Sequence, residues 1–178
     1  FEIIRDKIPI YSIDASYMAA PSVGYIKLSR FAETSMDEFS QALKELKNKG
    51  MKNLILDLRY NTGGYLNVAV ALADEFLSEG KMIVYTQGKA SPKKEYIATN
   101  KGDFETGKLI ILINEGSASA SEIVSGAIQD WDRGTIVGRR SFGKGLVQDQ
   151  YKLIDGSALR LTIAKYYTPS GRCIQKPY

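Results

Sequence analysis

Three residues stand at spacings that permit acyl-transfer chemistry: Ser119 in NEGSASASEI, Lys144 in SFGKGLVQ, and Gln148 four residues after the lysine. Lys144 lies 144 − 119 = 25 residues beyond the serine. A serine hydroxyl needs a base before it can attack a carbonyl. The chain contains no histidine, which removes every Ser-His-Asp and Cys-His mechanism and the usual imidazole metal ligands. The strong base that remains is a lysine held neutral. Free lysine titrates near ~10.4, and burial has to bring it to roughly 7–8 before it serves. Gln148 is uncharged, so it can orient an amine without raising its pKa as a carboxylate would.

Two strand-to-helix junctions carry small or glycine-rich turns, DLRYNTGG (57–64) and NEGSASASEI (114–123). Such turns aim several backbone N–H groups at one point, with the positive end of a helix dipole behind them. That arrangement suits a phosphate or the oxyanion of a tetrahedral intermediate. Ser119 with Glu122 also reads as an S-x-x-E capping box, which is compatible with a nucleophile at a helix start. Asp57 and Arg59 read as a structural ion pair, and Asn61 as a residue that shapes its turn. Gly63 and Gly64 read as turn glycines with positive φ. Ser117 and Ser121 read as turn and helix-surface residues, and Cys173 as inert.

A decoy lies beside these motifs. Gly138 to Lys144, GRRSFGK, satisfies the first seven positions of a phosphate-binding P-loop. The eighth is Gly145 where Ser or Thr should hold magnesium, and LVQDQYKLI then alternates like a strand instead of opening a helix. Nucleotide binding is set aside.

The elements that must position the site follow from periodicity. Residues 1–22 suit an extended lead-in. VGYIKLS (23–29) alternates as a half-buried strand. A helix is predicted over 36–49, capped by Ser35 with Glu38 three residues on, striped by Phe39, Ala42, Leu43 and Leu46, and ended by Gly50. NLILDLR is a buried strand, followed by a helix over 65–77 and the strand KMIVYTQ. A short strand falls near 95–98. KLIILIN is buried again, GSASASEIVSGAIQDW opens a helix, and GTIVG, LVQDQYKLI and SALRLTIAKYY are strands. Asp155-Gly156 joins the last two as a hairpin. Strand–helix repeated three times and then a β-rich end implies one layered α/β domain.

Composition narrows the function further. The 178 residues are 44% hydrophobic and 25% charged, an ordinary globular balance. A single cysteine makes no intramolecular disulfide and no cysteine zinc site. The net charge of +4 is scattered, with no basic run longer than a pair such as Lys93-Lys94, so no nucleic-acid partner is expected. No apolar run approaches the ~18 residues of a membrane helix, and a start at Phe1 instead of Met reads as a fragment or mature piece, so targeting signals are not informative.

NEGSASASEIVSGAIQD followed by VGRRSFGKGLVQ closely resembles the C-terminal processing peptidases, or tail-specific proteases. DLRYNTGG and DGSALRLTIAKYYTPSGRCIQ match their other landmarks in order, from about Val23 to the C-terminus. The resemblance implies that Ser119 is the nucleophile, Lys144 the general base and Gln148 the residue that orients it. It places an oxyanion hole at the backbone N–H groups of Gly64 and Ala120, with Gly63, Glu122 and Ser141 in support and no cofactor. It implies an α/β, crotonase/ClpP-like core of stacked strand–helix units with a β-rich C-terminal part. Protein substrates with apolar C-terminal tails are implied, at a periplasmic or cell-envelope location in a bacterium. Members carry a PDZ domain, so residues 1–22 are expected to follow such a domain and residues 23–178 to be the catalytic core. Two rivals keep the fold: a non-catalytic peptide-binding homologue, and a crotonase-type acyl-CoA enzyme that also uses paired amides.

Overall fold

The computed structural model describes residues 10–99 and 102–177. Its elements run β1 (Ile13–Ala20), β2 (Val23–Leu28), α1 (Ser35–Asn48), β3 (Asn53–Asp57), α2 (Leu66–Asp74), β4 (Met82–Gln87) and β5 (Lys94–Ile97). Then follow β6 (Leu109–Ile113), α3 (Ala120–Asp130), β7 (Thr135–Gly138), β8 (Leu146–Lys152) and β9 (Ala158–Tyr167). Two sheets result, in the orders β1-β2-β3-β6-β7 and β5-β4-β9-β8. In the first, β2, β3, β6 and β7 are all parallel and only β1 is antiparallel. The second is antiparallel throughout. This is the α/β class read from the sequence, with its β-rich C-terminal part.

The apolar runs NLILD and LIILI become the central parallel strands because both of their faces are covered. α1 buries the stripe Phe39, Ala42, Leu43 and Leu46, and α2 buries Val68, Ala69, Leu72 and Ala73. α3 is buried continuously from Ala120 to Ile128, and its buried polar side chains Ser121, Glu122 and Ser125 are all hydrogen-bonded. One apolar core joins these three helices to β2, β3, β4 and β6. No helix among the described residues is long and apolar enough to cross a membrane.

The elements depart from the sequence reading in three places, one being α2, which ends at Asp74 instead of at 77. Residues 13–20, within the expected lead-in, are a strand paired with β2 and interrupted by register shifts; residues 1–9 of that lead-in lie outside the described residues. Its burial lacks a clean period of two, which hid it from pattern analysis. The helix cap also moves: Thr34 is the N-cap and Ser35 the first helical residue. Ser35 is buried and its Oγ accepts the Ala32 N–H at 2.7 Å. Glu38 turns outward from the helix to accept the N–H groups of Ser12 and Ile13, so it anchors the entry to β1 instead of closing a box with Ser35.

Candidate active site

β3 and β6 lie side by side in register, Leu54 against Leu109 through Asp57 against Leu112. The loops leaving their carboxyl ends therefore emerge together, where open parallel sheets form their clefts. Asn61 ties the two loops. Its carbonyl accepts the Ala118 N–H at 3.0 Å and the Ser121 Oγ–H at 2.9 Å. Its side chain accepts the Gly63 N–H and donates to the Leu28 carbonyl, each at 2.9 Å. Ser117 adds a second tie, its Oγ donating to Leu58 and accepting from the Asn114 N–H. Asn61, Ser117 and Ser121 are all buried. Ser117 closes the turn 114–117, as read from the sequence, whereas Ser121 corrects its reading as a surface residue; each hydroxyl satisfies a buried loop carbonyl.

Ser119 stands at the N-cap of α3 with φ 55° and ψ −111°. A non-glycine residue rarely takes a positive φ, and such strain persists only where the surroundings impose it. A strained serine on a sharp turn into a helix is also how a nucleophile is presented. The imposing contacts are visible: the Ser119 N–H donates to Glu122 Oε2 at 2.8 Å, and its carbonyl accepts from Glu122 and Ile123.

The glycine turn packs directly against this serine. A Cβ on Gly63 would stand 2.8 Å from the Ser119 Cβ and 2.9 Å from the Ala120 N, at a φ of 99°. A Cβ on Gly64 would collide with the Phe31 carbonyl. Phe31 donates to the Gly63 carbonyl and accepts from the Tyr65 N–H, which fixes the turn on both sides of Gly64. Among the described residues, neither the Gly64 nor the Ala120 N–H has a backbone acceptor. The Ala120 amide adjoins the serine directly, and the Gly64 amide follows the Gly63 turn that packs on it.

Glu122 joins the third segment. Its buried carboxylate accepts the Gly143 N–H at 2.6 Å and the Lys144 N–H at 2.8 Å, besides that of Ser119. Phe142 N–H donates to the Ser117 carbonyl, completing the seam between loop 139–145 and the serine turn. Ser141 lies on the wall of a cavity of about 740 Å³ that Glu122, Ser125, Phe142 and Gly143 also line. β8 follows this loop as a strand, so the P-loop pattern lacks the helix it needs.

The side chains of Lys144 and Gln148 are not brought together. Both are exposed, which corrects the expected burial of the lysine. Gln148 donates to Thr162 Oγ1 at 3.4 Å across the hairpin and makes no bond to Lys144. The cause is local: the loop is held by its amides, and β8 is an edge strand with little packed on it.

Below the site, Asp57 is fully buried at the end of β3. It accepts from Arg59 Nε at 3.0 Å, Arg59 Nη2 at 2.5 Å, the Arg59 N–H at 2.9 Å and Tyr25 Oη at 2.7 Å. Burial acts to raise the Asp57 carboxyl, but the bonds from Arg59 and Tyr25 outweigh it and hold the group below the usual carboxylate range. Burial and the adjacent Asp57 push the Tyr25 phenol up to about 12. The ion pair is structural, as read from the sequence, and Tyr25 is its third member, 32 residues away and invisible to spacing.

The chain is similar to known proteins over most of its length. Residues 22–177 match the model of peptidase family S41. The chain is 43% identical over 179 residues to a carboxy-terminal-processing protease of Bartonella bacilliformis, covering 98% of this chain and 41% of that one. It is 43% identical over 156 residues to a carboxyl-terminal-processing protease of Synechocystis, covering 87% of this chain and 36% of that one. The photosystem II D1 C-terminal processing protease superposes with a TM-score of 0.83 at 33% identity, over 95% of this chain and 46% of that one. The chain therefore spans less than half the length of these relatives.

Proposed function

The chain belongs to peptidase family S41, and from that premise we propose that it is a serine endopeptidase cutting proteins near their C-terminal tails. One observation carries the reading: the strained Ser119 packs against the Gly63 turn, with the Lys144 backbone fixed beside it through Glu122.

In this reading, Lys144 Nζ takes the Ser119 Oγ proton as the oxygen attacks the scissile carbonyl carbon. The oxyanion accepts hydrogen bonds from the Gly64 and Ala120 N–H groups. Lys144 then gives the proton to the leaving amine and the C–N bond breaks, leaving an acyl-enzyme on Ser119. Water repeats the sequence: its proton passes to Lys144, its oxygen attacks the ester, and the proton returns to Oγ.

Lys144 and Gln148 reach this arrangement by side-chain rotation. The lysine turns from solvent toward Ser119, and the glutamine leaves Thr162 to hold the amine. A peptide lying over the site excludes water from the amine. Apolar substrate tails, a PDZ domain as partner and a periplasmic or envelope location belong to the same proposal. Their support is the sequence resemblance, together with bacterial relatives more than twice as long as the chain.

The test is to trap the acyl-enzyme. The protein is mixed with an activated peptide ester, quenched in acid, digested and analysed by mass spectrometry. An acyl adduct on the segment holding Ser119 is expected. Turnover of acyl-CoA thioesters without an adduct would favour the crotonase-type rival, and binding without either would favour the non-catalytic one.

A further inference from the structure

The β8–β9 ribbon extends past the elements that support its base. β4 pairs with β9 only at Lys165–Tyr167, and β8 is the edge of its sheet. Residues 148–162 are all exposed. A two-stranded ribbon with both faces in water is marginally stable on its own. This one is amphipathic. Asp149 opposes Leu161 and Tyr151 opposes Leu159 on one face, while Gln148 opposes Thr162 and Gln150 opposes Arg160 on the other. Tyr151, Leu159 and Leu161 remain 46%, 49% and 48% exposed. Val147 begins the same row and packs against the core, so the apolar face continues outward from the domain interior. Asp149 is the one charge in that row.

Three half-exposed side chains offer on the order of 300 Å² of apolar surface, against the ~800 Å² per partner of a stable interface. The face is too small to hold a second copy, but enough for weak contact with an extended chain. β8 has a free edge, whose unpaired N–H and C=O groups accept an added strand of any sequence. It also leads to the site, since it starts two residues after Lys144 and carries Gln148.

We propose that the free β8 edge and the apolar row Tyr151, Leu159 and Leu161 form an accessory surface for unfolded, apolar stretches of a polypeptide substrate. The substrate adds as a strand along β8, away from the bond being cut, and its alternate side chains lie beside Tyr151. The proposal rests on the endopeptidase reading for the word substrate. The binding surface itself is tested without turnover.

In a Ser119→Ala background, binding of fluorescein-labelled, carboxymethylated α-lactalbumin, an unfolded protein, is followed by anisotropy. Adding Tyr151→Ser, Leu159→Ser and Leu161→Ser is expected to weaken binding roughly tenfold or more, while the opposite-face control Gln150→Ser with Arg160→Ser leaves it unchanged. Should the triple variant fail to fold, amide exchange of the Ser119→Ala protein is read instead, and slower exchange over Gln148–Lys152 on binding is expected. Equal affinities, or unchanged exchange, overturn the proposal. So does a dimer in sedimentation, or binding to anionic lipid vesicles, that the same substitutions abolish. In the Ser119 form, the ribbon substitutions should leave cleavage of a short peptide unchanged. Absence of any peptide cleavage would instead count against the endopeptidase reading and leave the binding result standing.

Discussion

Ser119 and Lys144 donate their backbone N–H groups to the same oxygen, Oε2 of Glu122, each at 2.8 Å. The two amides can stand no farther apart than twice that distance. A residue 25 positions away in sequence is thereby fixed beside the serine without its side chain taking part, which leaves the lysine amine free to move. Glu122 is a positioning residue in this account.

Glu122→Gln replaces one of two acceptor oxygens with a donor that must face a backbone N–H. The mismatch should cost about 1–3 kcal/mol of stability. Because small displacements of reacting groups are costly, kcat should fall on the order of 10²-fold. KM should change little. Denaturant unfolding and steady-state kinetics check this, and a stability loss with kcat intact would leave Glu122 purely structural.

Asn61→Ala removes a buried side chain whose two bonds satisfy the Gly63 N–H and the Leu28 carbonyl. Both backbone groups are then buried without partners, at about 1–3 kcal/mol each. The expected outcome is a loss of about 2–5 kcal/mol in urea unfolding, together with faster amide exchange across 58–65.

Gly63→Ala brings a methyl group against Ser119 Cβ and Ala120 N at a φ that disfavours side chains. The serine turn cannot yield without moving the Ala120 amide. Activity should drop at least as far as with Glu122→Gln, while an alanine at Gly80, whose added Cβ meets nothing within 4 Å, should cost only about 1–3 kcal/mol of backbone strain and no specific loss of kcat.

The Tyr25–Asp57–Arg59 cluster sets a pH window. The folded-state phenol of Tyr25 is raised to about 12, above the ordinary tyrosine value of about 10. Its contribution is therefore complete below about pH 10 and is lost as pH rises through about 12. Asp57 is lowered, so its contribution is complete above the ordinary aspartate value of about 3.9 and is lost as pH falls through its folded value. Tyr25→Phe should destabilise the protein at neutral pH, and its difference from the unmodified protein should shrink between pH 10 and 12. Unfolding midpoints measured across that range check the sign; a constant difference would contradict it.

Much of this architecture was legible because the signals were local. The runs NLILD and LIILI, the stripe of α1 and the Asp155-Gly156 hairpin each encode their element within a few residues. The long motifs around Ser119 and Lys144 marked the site. What the sequence hid is long-range. No spacing rule ties Asn61 to Ser121, or Tyr25 to Asp57, because only the parallel register of β2, β3 and β6 brings them together. β1 lacked a period because its faces are not sorted into core and solvent. The glycines on either side of Lys144 let the backbone approach Glu122 and Gln175, and leave its side chain outside.

The most direct measurement is cleavage of an unfolded protein with an apolar C-terminal tail between about pH 7 and 9, comparing the unmodified protein with Ser119→Ala and Lys144→Ala. Cleavage by the unmodified protein alone is expected. Cleavage that survives in either variant would contradict it, because the Ser119–Lys144 pair would then not be the machinery.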